Sequence, residues 1–189
     1  MTMPSGIPSL SDMAAMYQPR PMAMTELNLS DDWRARWVDE QELPENAPVN
    51  YAYAVVVMGD KGYVTRARGS SVWGTVEGAV EAETAVDFVR RAVKEQTGGT
   101  MRTLELLGFL ECRATSHNEQ FRAGSIALRP MYLVVAKSID DLPDASTYEK
   151  RRLPMNEFMM ALRGRYPELV DHFGQAGQRY AIMRAKGEA

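Results

Sequence analysis

Cysteine and histidine are almost missing from this chain: Cys112 stands alone, and His117 and His172 are the two histidines. A single thiol excludes an intrachain disulfide and suits a reducing compartment, so a cytoplasmic protein is expected. The histidines are too isolated to form a zinc-ligand pattern. No apolar run approaches the roughly 18 residues that signal a membrane span. The N-terminus also lacks the basic start and apolar stretch of a secretory signal. Charge of one sign is missing too: 22 Lys and Arg stand against 25 Asp and Glu, for a formal net charge of −3. That balance argues against a general nucleic-acid binder, which is normally basic.

Periodic apolar residues are scarce in residues 1–28, which hold Pro4, Pro8, Pro19 and Pro21 and six methionines. Outside a short stretch at residues 12–17, little there repeats at a helical or strand period. Such a segment buries too little surface to fold by itself, yet thioethers suit irregular apolar contact. Residues 1–28 are therefore read as an extended or disordered arm. If ordered, the arm is expected to dock on a neighbouring copy or within a larger protein assembly.

The remainder carries enough apolar residues for a core, 45% of the whole chain of 189. That length fits one domain of about 140 residues with terminal extensions. Residues 29–47 read as a short helix and linker. Ser30 opens a helix over 31–42 with acidic residues in its first turn, Trp33 and Trp37 share a face at i and i+4, and Pro44 and Pro48 close the segment. Residues 51–58 (YAYAVVVM) read as a buried strand, 59–62 as a hairpin turn and 63–68 as the returning strand. Downstream, 104–114 is a strand broken at Gly108, 115–124 a polar loop, 125–137 a strand and 138–150 an acidic loop. A helix entered through 152–158 runs to Leu162, and residues 166–189 hold two helix candidates separated by Gly174–Gly177. Strands alternating with helices indicate a mixed α/β domain.

Residues 74–98, GTVEGAVEAETAVDFVRRAVKEQTG, are the richest stretch. Thr84 is an N-cap with Asp87 at the third helical position. Ala85, Phe88, Val89, Ala92 and Val93 follow at helical spacing, and Gly98 fits a left-handed cap. The stretch resembles the Nudix box, G-x5-E-x7-R-E-U-x-E-E-x-G-U, where U is bulky and apolar. Glu83, Arg91, Val93, Glu95 and Gly98 match it. Ala92 and Gln96 stand where the box has glutamates, Gly99 replaces the final U, and Gly78 precedes Glu83 by five residues instead of six. The flanking elements extend the resemblance over about residues 48–165.

The resemblance implies a Nudix-like α/β/α sandwich with a mixed sheet, residues 48–165, preceded by the arm and followed by a helical extension at 166–189. Gly78, Arg91 and Gly98 are its structural box residues, with Arg91 salt-bridged to Glu83. It also implies a diphosphohydrolase using magnesium or manganese, held mainly by glutamates of the box helix. Magnesium demands several oxygen ligands, and positions 92, 95 and 96 share one helical face. Here that face carries Ala, Glu and Gln. No metal cofactor is therefore expected, and the chain reads as a non-catalytic binding or assembly subunit. The rival is a magnesium- or manganese-dependent hydrolase of a nucleoside diphosphate-linked substrate, with Glu95 and Glu83 as metal ligands and Glu95 and Glu119 as catalytic groups. For a nucleotide ligand, Arg66 and Arg68, with Arg113 and Arg122 behind them, are candidate phosphate contacts. Trp73 or Tyr53 is the candidate stacking ring.

Overall fold

The computed structural model describes residues 17, 26–30, 32–117 and 121–189. Eight strands form one mixed sheet: β1 (Leu27–Ser30), β2 (Trp33–Val38), β3 (Tyr51–Met58), β4 (Lys61–Ala67), β5 (Val76–Ala79), β6 (Gly99–Ala114), β7 (Ile126–Ile139) and β8 (Tyr148–Pro154). Their order is β1-β2-β6-β7-β3-β4-β8, with β5 also paired to β3. β3 and β7 run parallel over Tyr53–Val57 and Met131–Val135, and the other pairs are antiparallel. Helix α1 (Ala85–Thr97) covers one face, while α2 (Met155–Arg165), a 3-10 turn at Pro167–Leu169 and α3 (Val170–Lys186) cover the other.

β3 shows why two layers of helix are needed. Residues 52–57 are all buried, as a central strand requires. Tyr53, Val55 and Val57 join Phe158, Leu162, Phe173 and Tyr180 in one core cluster, whereas Ala52, Ala54 and Val56 meet Phe88, Val89, Ala92 and Val93 in the other. The small alanines let α1 approach closely. A helix of 13 residues is marginal alone in water. Burial of Phe88, Val89 and Val93, about 1.5–3 kcal/mol for each side chain, holds it on the sheet. Val93 is fully buried, and the loop, helix and loop expected around it are all present.

Three sequence expectations are corrected. Residues 33–38 form β2, not part of a helix over 31–42. Trp33, Ala35 and Trp37 are buried while Arg34 is exposed, an alternation of period two. Positions i and i+4 share a face in a strand as well as in a helix, so the tryptophans alone do not separate the two. Residues 148–154, read as the end of a loop and a helix entry, form the edge strand β8. The two C-terminal helix candidates are one helix that runs through Gly174 and Gly177, anchored by buried Phe173, Ala176, Tyr180 and Met183. No helix among the described residues is long and apolar enough to cross a membrane. Of the arm, Tyr17 and residues 26–28 are described, and Tyr17 rests on its own chain; the 12–17 stretch otherwise lies outside the described residues.

Candidate functional site

The sheet opens where β4 and β5 diverge. Both pair with the same edge of β3, β5 along Tyr51–Ala54 and β4 along Val56–Met58. Two backbone hydrogen bonds between Thr65 and Gly74 (2.8 and 2.9 Å) bridge the divergence. The C-terminal half of α1 looks into this opening from one side and the end of α2 from the other.

Of box positions 92 and 96, Gln96 borders the opening, and both side chains belong to the scaffold. Ala92 is 1% exposed and packs into the sheet cluster. Gln96, 5% exposed, bridges two strands. Its Oε1 accepts from Thr65 Oγ1 at 3.1 Å, and its Nε2 donates to the Glu77 carbonyl at 3.0 Å. Glu95 points outward and meets Arg91 at 3.1 Å; Arg91 also meets Glu83 at 2.5 Å. Glu83 and Glu95 thus converge on one guanidinium, which lies over the Phe88 ring. Gly98 adopts φ 73° as the helix cap. Gly78 faces Phe88 so closely that a Cβ there would stand 3.0 Å from its ring. Among the described residues no three Asp, Glu, His or Cys side chains are grouped to hold a metal ion. Glu119 lies outside the described residues. Glu83 and Glu95 are both engaged with Arg91, whereas magnesium demands several convergent oxygen ligands.

The candidate phosphate and stacking residues are partly gathered. Arg66 donates to Glu149 at 2.5 Å and lies 4.5 Å over the Trp73 ring, which Arg151 also covers at 4.3 Å. Arg68 donates instead to the Ser146 carbonyl. Arg66 lines a cavity of about 280 Å³ in the opening, together with Thr65, Gln96, Glu77, Tyr51 and Arg165. A second cavity, about 500 Å³, shares Glu77, Tyr51 and Arg165 and adds Tyr53, Arg129 and Tyr166. Arg113 and Arg122 line neither.

Glu77 stands where the two cavities meet, and its role was not visible in the sequence. Burial raises its carboxyl above the usual range, opposed by a hydrogen bond from the Tyr166 hydroxyl and by the charges of Arg165 and Arg129. Arg165 comes within 3.8 Å of it. The Tyr166 hydroxyl in turn accepts from the Thr75 amide at 3.1 Å, tying α2 to the loop before β5. Burial drives the Tyr51 and Tyr166 phenols far up and Tyr53 to about 12, so all three are neutral donors at physiological pH. The chamber therefore offers aromatic walls, two guanidiniums and one partly buried carboxyl group. Only the aromatic run at 51–53 hinted at it, since Arg129 and Arg165 are far from Glu77 in sequence.

No family model and no curated protein matches the sequence. Solved structures do. The fold is similar to a variant of the pyrophosphohydrolase of Bacillus subtilis, with 18% identity, 69% of this chain and 77% of that chain covered, and a TM-score of 0.53. The chain has the Nudix fold. The Nudix domain of Shewanella oneidensis NrtR, solved with ADP ribose, matches at 17% identity over 70% of this chain and 88% of that one, with a TM-score of 0.49. A Nudix hydrolase from Nitrosomonas europaea matches at 21% identity over 71% and 89%, with a TM-score of 0.47. Identity at this level carries the Nudix fold and not an activity.

Proposed function

We propose that this chain is a cytoplasmic Nudix-fold protein that binds a small ligand, of nucleotide class, without hydrolysing it and without a metal cofactor. The observation that supports this reading most is Gln96, whose amide oxygen and nitrogen are both engaged in holding β4 and β5. A ligand for magnesium at that position would have to release both bonds, and Ala92 beside it supplies no oxygen. The binding chamber is the pair of cavities around Glu77. Arg165 and Arg129 face an anionic or carbonyl group there, and Tyr51 and Tyr53 supply ring surface for a base. The hydrolase reading would rest on Glu119, with Glu95 and Glu83 already paired to Arg91.

Calorimetric titration with nucleoside mono-, di- and triphosphates and nucleotide sugars, with a chelator present, tests the reading. Saturable binding is expected, with the ligand recovered intact by chromatography. Arg165→Ala is expected to weaken binding about ten- to a hundredfold, in line with loss of a charge-assisted hydrogen bond of roughly 1.5–3 kcal/mol. Failure of every ligand to bind, or binding that requires a divalent ion, would contradict it.

A further inference from the structure

The face of the sheet that carries α1 is not covered by that helix throughout. Around Val38, Phe109 and Leu128, the cover comes from Leu43, Ala47 and Val49 of the β2–β3 connection, from Ile126, and from Tyr17. A carboxylate sits in this apolar ground. Glu111 is 6% exposed and pairs directly with Arg36 across β2 and β6. Arg36 takes one carboxylate oxygen with its Nη2 at 2.5 Å and its Nε at 2.8 Å. The other oxygen accepts from the Tyr17 hydroxyl at 2.5 Å, from a residue 94 positions away.

We infer that Glu111, Arg36, Val38, Phe109 and Leu128 form a socket for a tyrosine, and that the socket tethers the N-terminal segment to its own domain through Tyr17. The chemistry selects tyrosine. Its ring fills the apolar part of the notch, and its hydroxyl supplies the donor that a buried carboxylate oxygen requires. Phenylalanine would keep the ring and leave that oxygen without its donor; a small side chain would lose both. The contact of Tyr17 is with its own chain.

Hydrogen exchange on the full chain tests the socket, comparing wild type with Tyr17→Phe, Tyr17→Ala and Glu111→Gln. The Tyr17 hydroxyl donates to a charged oxygen, the stronger class of hydrogen bond. Amide exchange in β2 and in residues 109–112 is therefore expected to rise about tenfold or more in Tyr17→Ala, and less in Tyr17→Phe. Cleavage of the N-terminal segment by trypsin should accelerate in the same order. Glu111→Gln should behave like Tyr17→Phe; if that variant fails to fold, the two Tyr17 variants still decide. Unchanged exchange and cleavage in Tyr17→Ala would overturn the socket. Light scattering separates the two sources of the tyrosine. A monomer for wild type supports the tether, whereas a dimer that Tyr17→Ala dissociates would show Tyr17 supplied by a second copy and overturn it.

Discussion

Gly98 holds φ 73°, and a Cβ there would come 2.2 Å from the Asp140 carbonyl oxygen. Two penalties therefore act on Gly98→Ala, left-handed backbone strain and a clash with backbone that cannot swing away. A loss of about 2–3 kcal/mol is expected, read as a lower midpoint in urea unfolding. Glu77 gives a pH signature. Its folded-state carboxyl titrates above the ordinary value of 4.5 because burial disfavours the charge. The folded state thus binds its proton more tightly than the unfolded chain does, and this contribution to stability falls as pH rises from about that ordinary value towards the folded one. Glu77→Gln should flatten this part of the stability profile, above the ordinary carboxyl value; an unchanged slope would mean that the carboxyl is not desolvated in solution. Cys112 is fully buried, and burial pushes its thiol to about 12. Its reaction with a disulfide reagent at pH 8 should be slow in the native protein and fast in urea.

Among the elements, α1 was the most legible, because its cap, its apolar spacing and its terminal glycine all pointed the same way. Thr84 accepts from the Asp87 amide and Gly98 closes the helix. β3 was equally clear, as a run of apolar residues too short for a helix of that kind. β2 was misread because Trp33 and Trp37 satisfy both periods, and the acidic residues before them resemble a helix start. β8 was missed because YEKRRLP is an edge strand whose charged side chains blunt further pairing, so no apolar pattern marks it. Gly174 and Gly177 suggest a break in the C-terminal helix, but its burial against the sheet outweighs a glycine penalty of about 1 kcal/mol each. That helix supplies Phe173, Ala176, Tyr180 and Met183 to the larger core cluster. Ending the chain after Arg165 should consequently expose that face and abolish cooperative unfolding, measured by circular dichroism on heating. A truncated chain with a native melting transition would show that α3 is dispensable.

At the scale of the whole molecule, fold and chemistry draw on different residues of one helix. The residues that place α1 on the sheet are those the fold needs, and they are present. Ala92 packs in the core, Gln96 bridges two strands, and Glu83 and Glu95 share Arg91. The chamber was hardly legible in the sequence because its parts come from β3, β5, β7 and α2, which only the folded sheet brings together. Introducing glutamates at positions 92 and 96 would not be structurally neutral. Ala92→Glu places a carboxylate at a position with 1% exposure, and should destabilise by about 3 kcal/mol or more unless a cation accompanies it. Urea unfolding of that variant with and without magnesium would reveal any such ion by a shift in midpoint. The most direct measurement is release of phosphate or mononucleotide from nucleoside triphosphates, nucleotide sugars and dinucleoside polyphosphates by the wild-type chain, with magnesium or manganese. No turnover above the protein-free background is predicted. Metal-dependent turnover that Glu95→Gln abolishes would contradict the account.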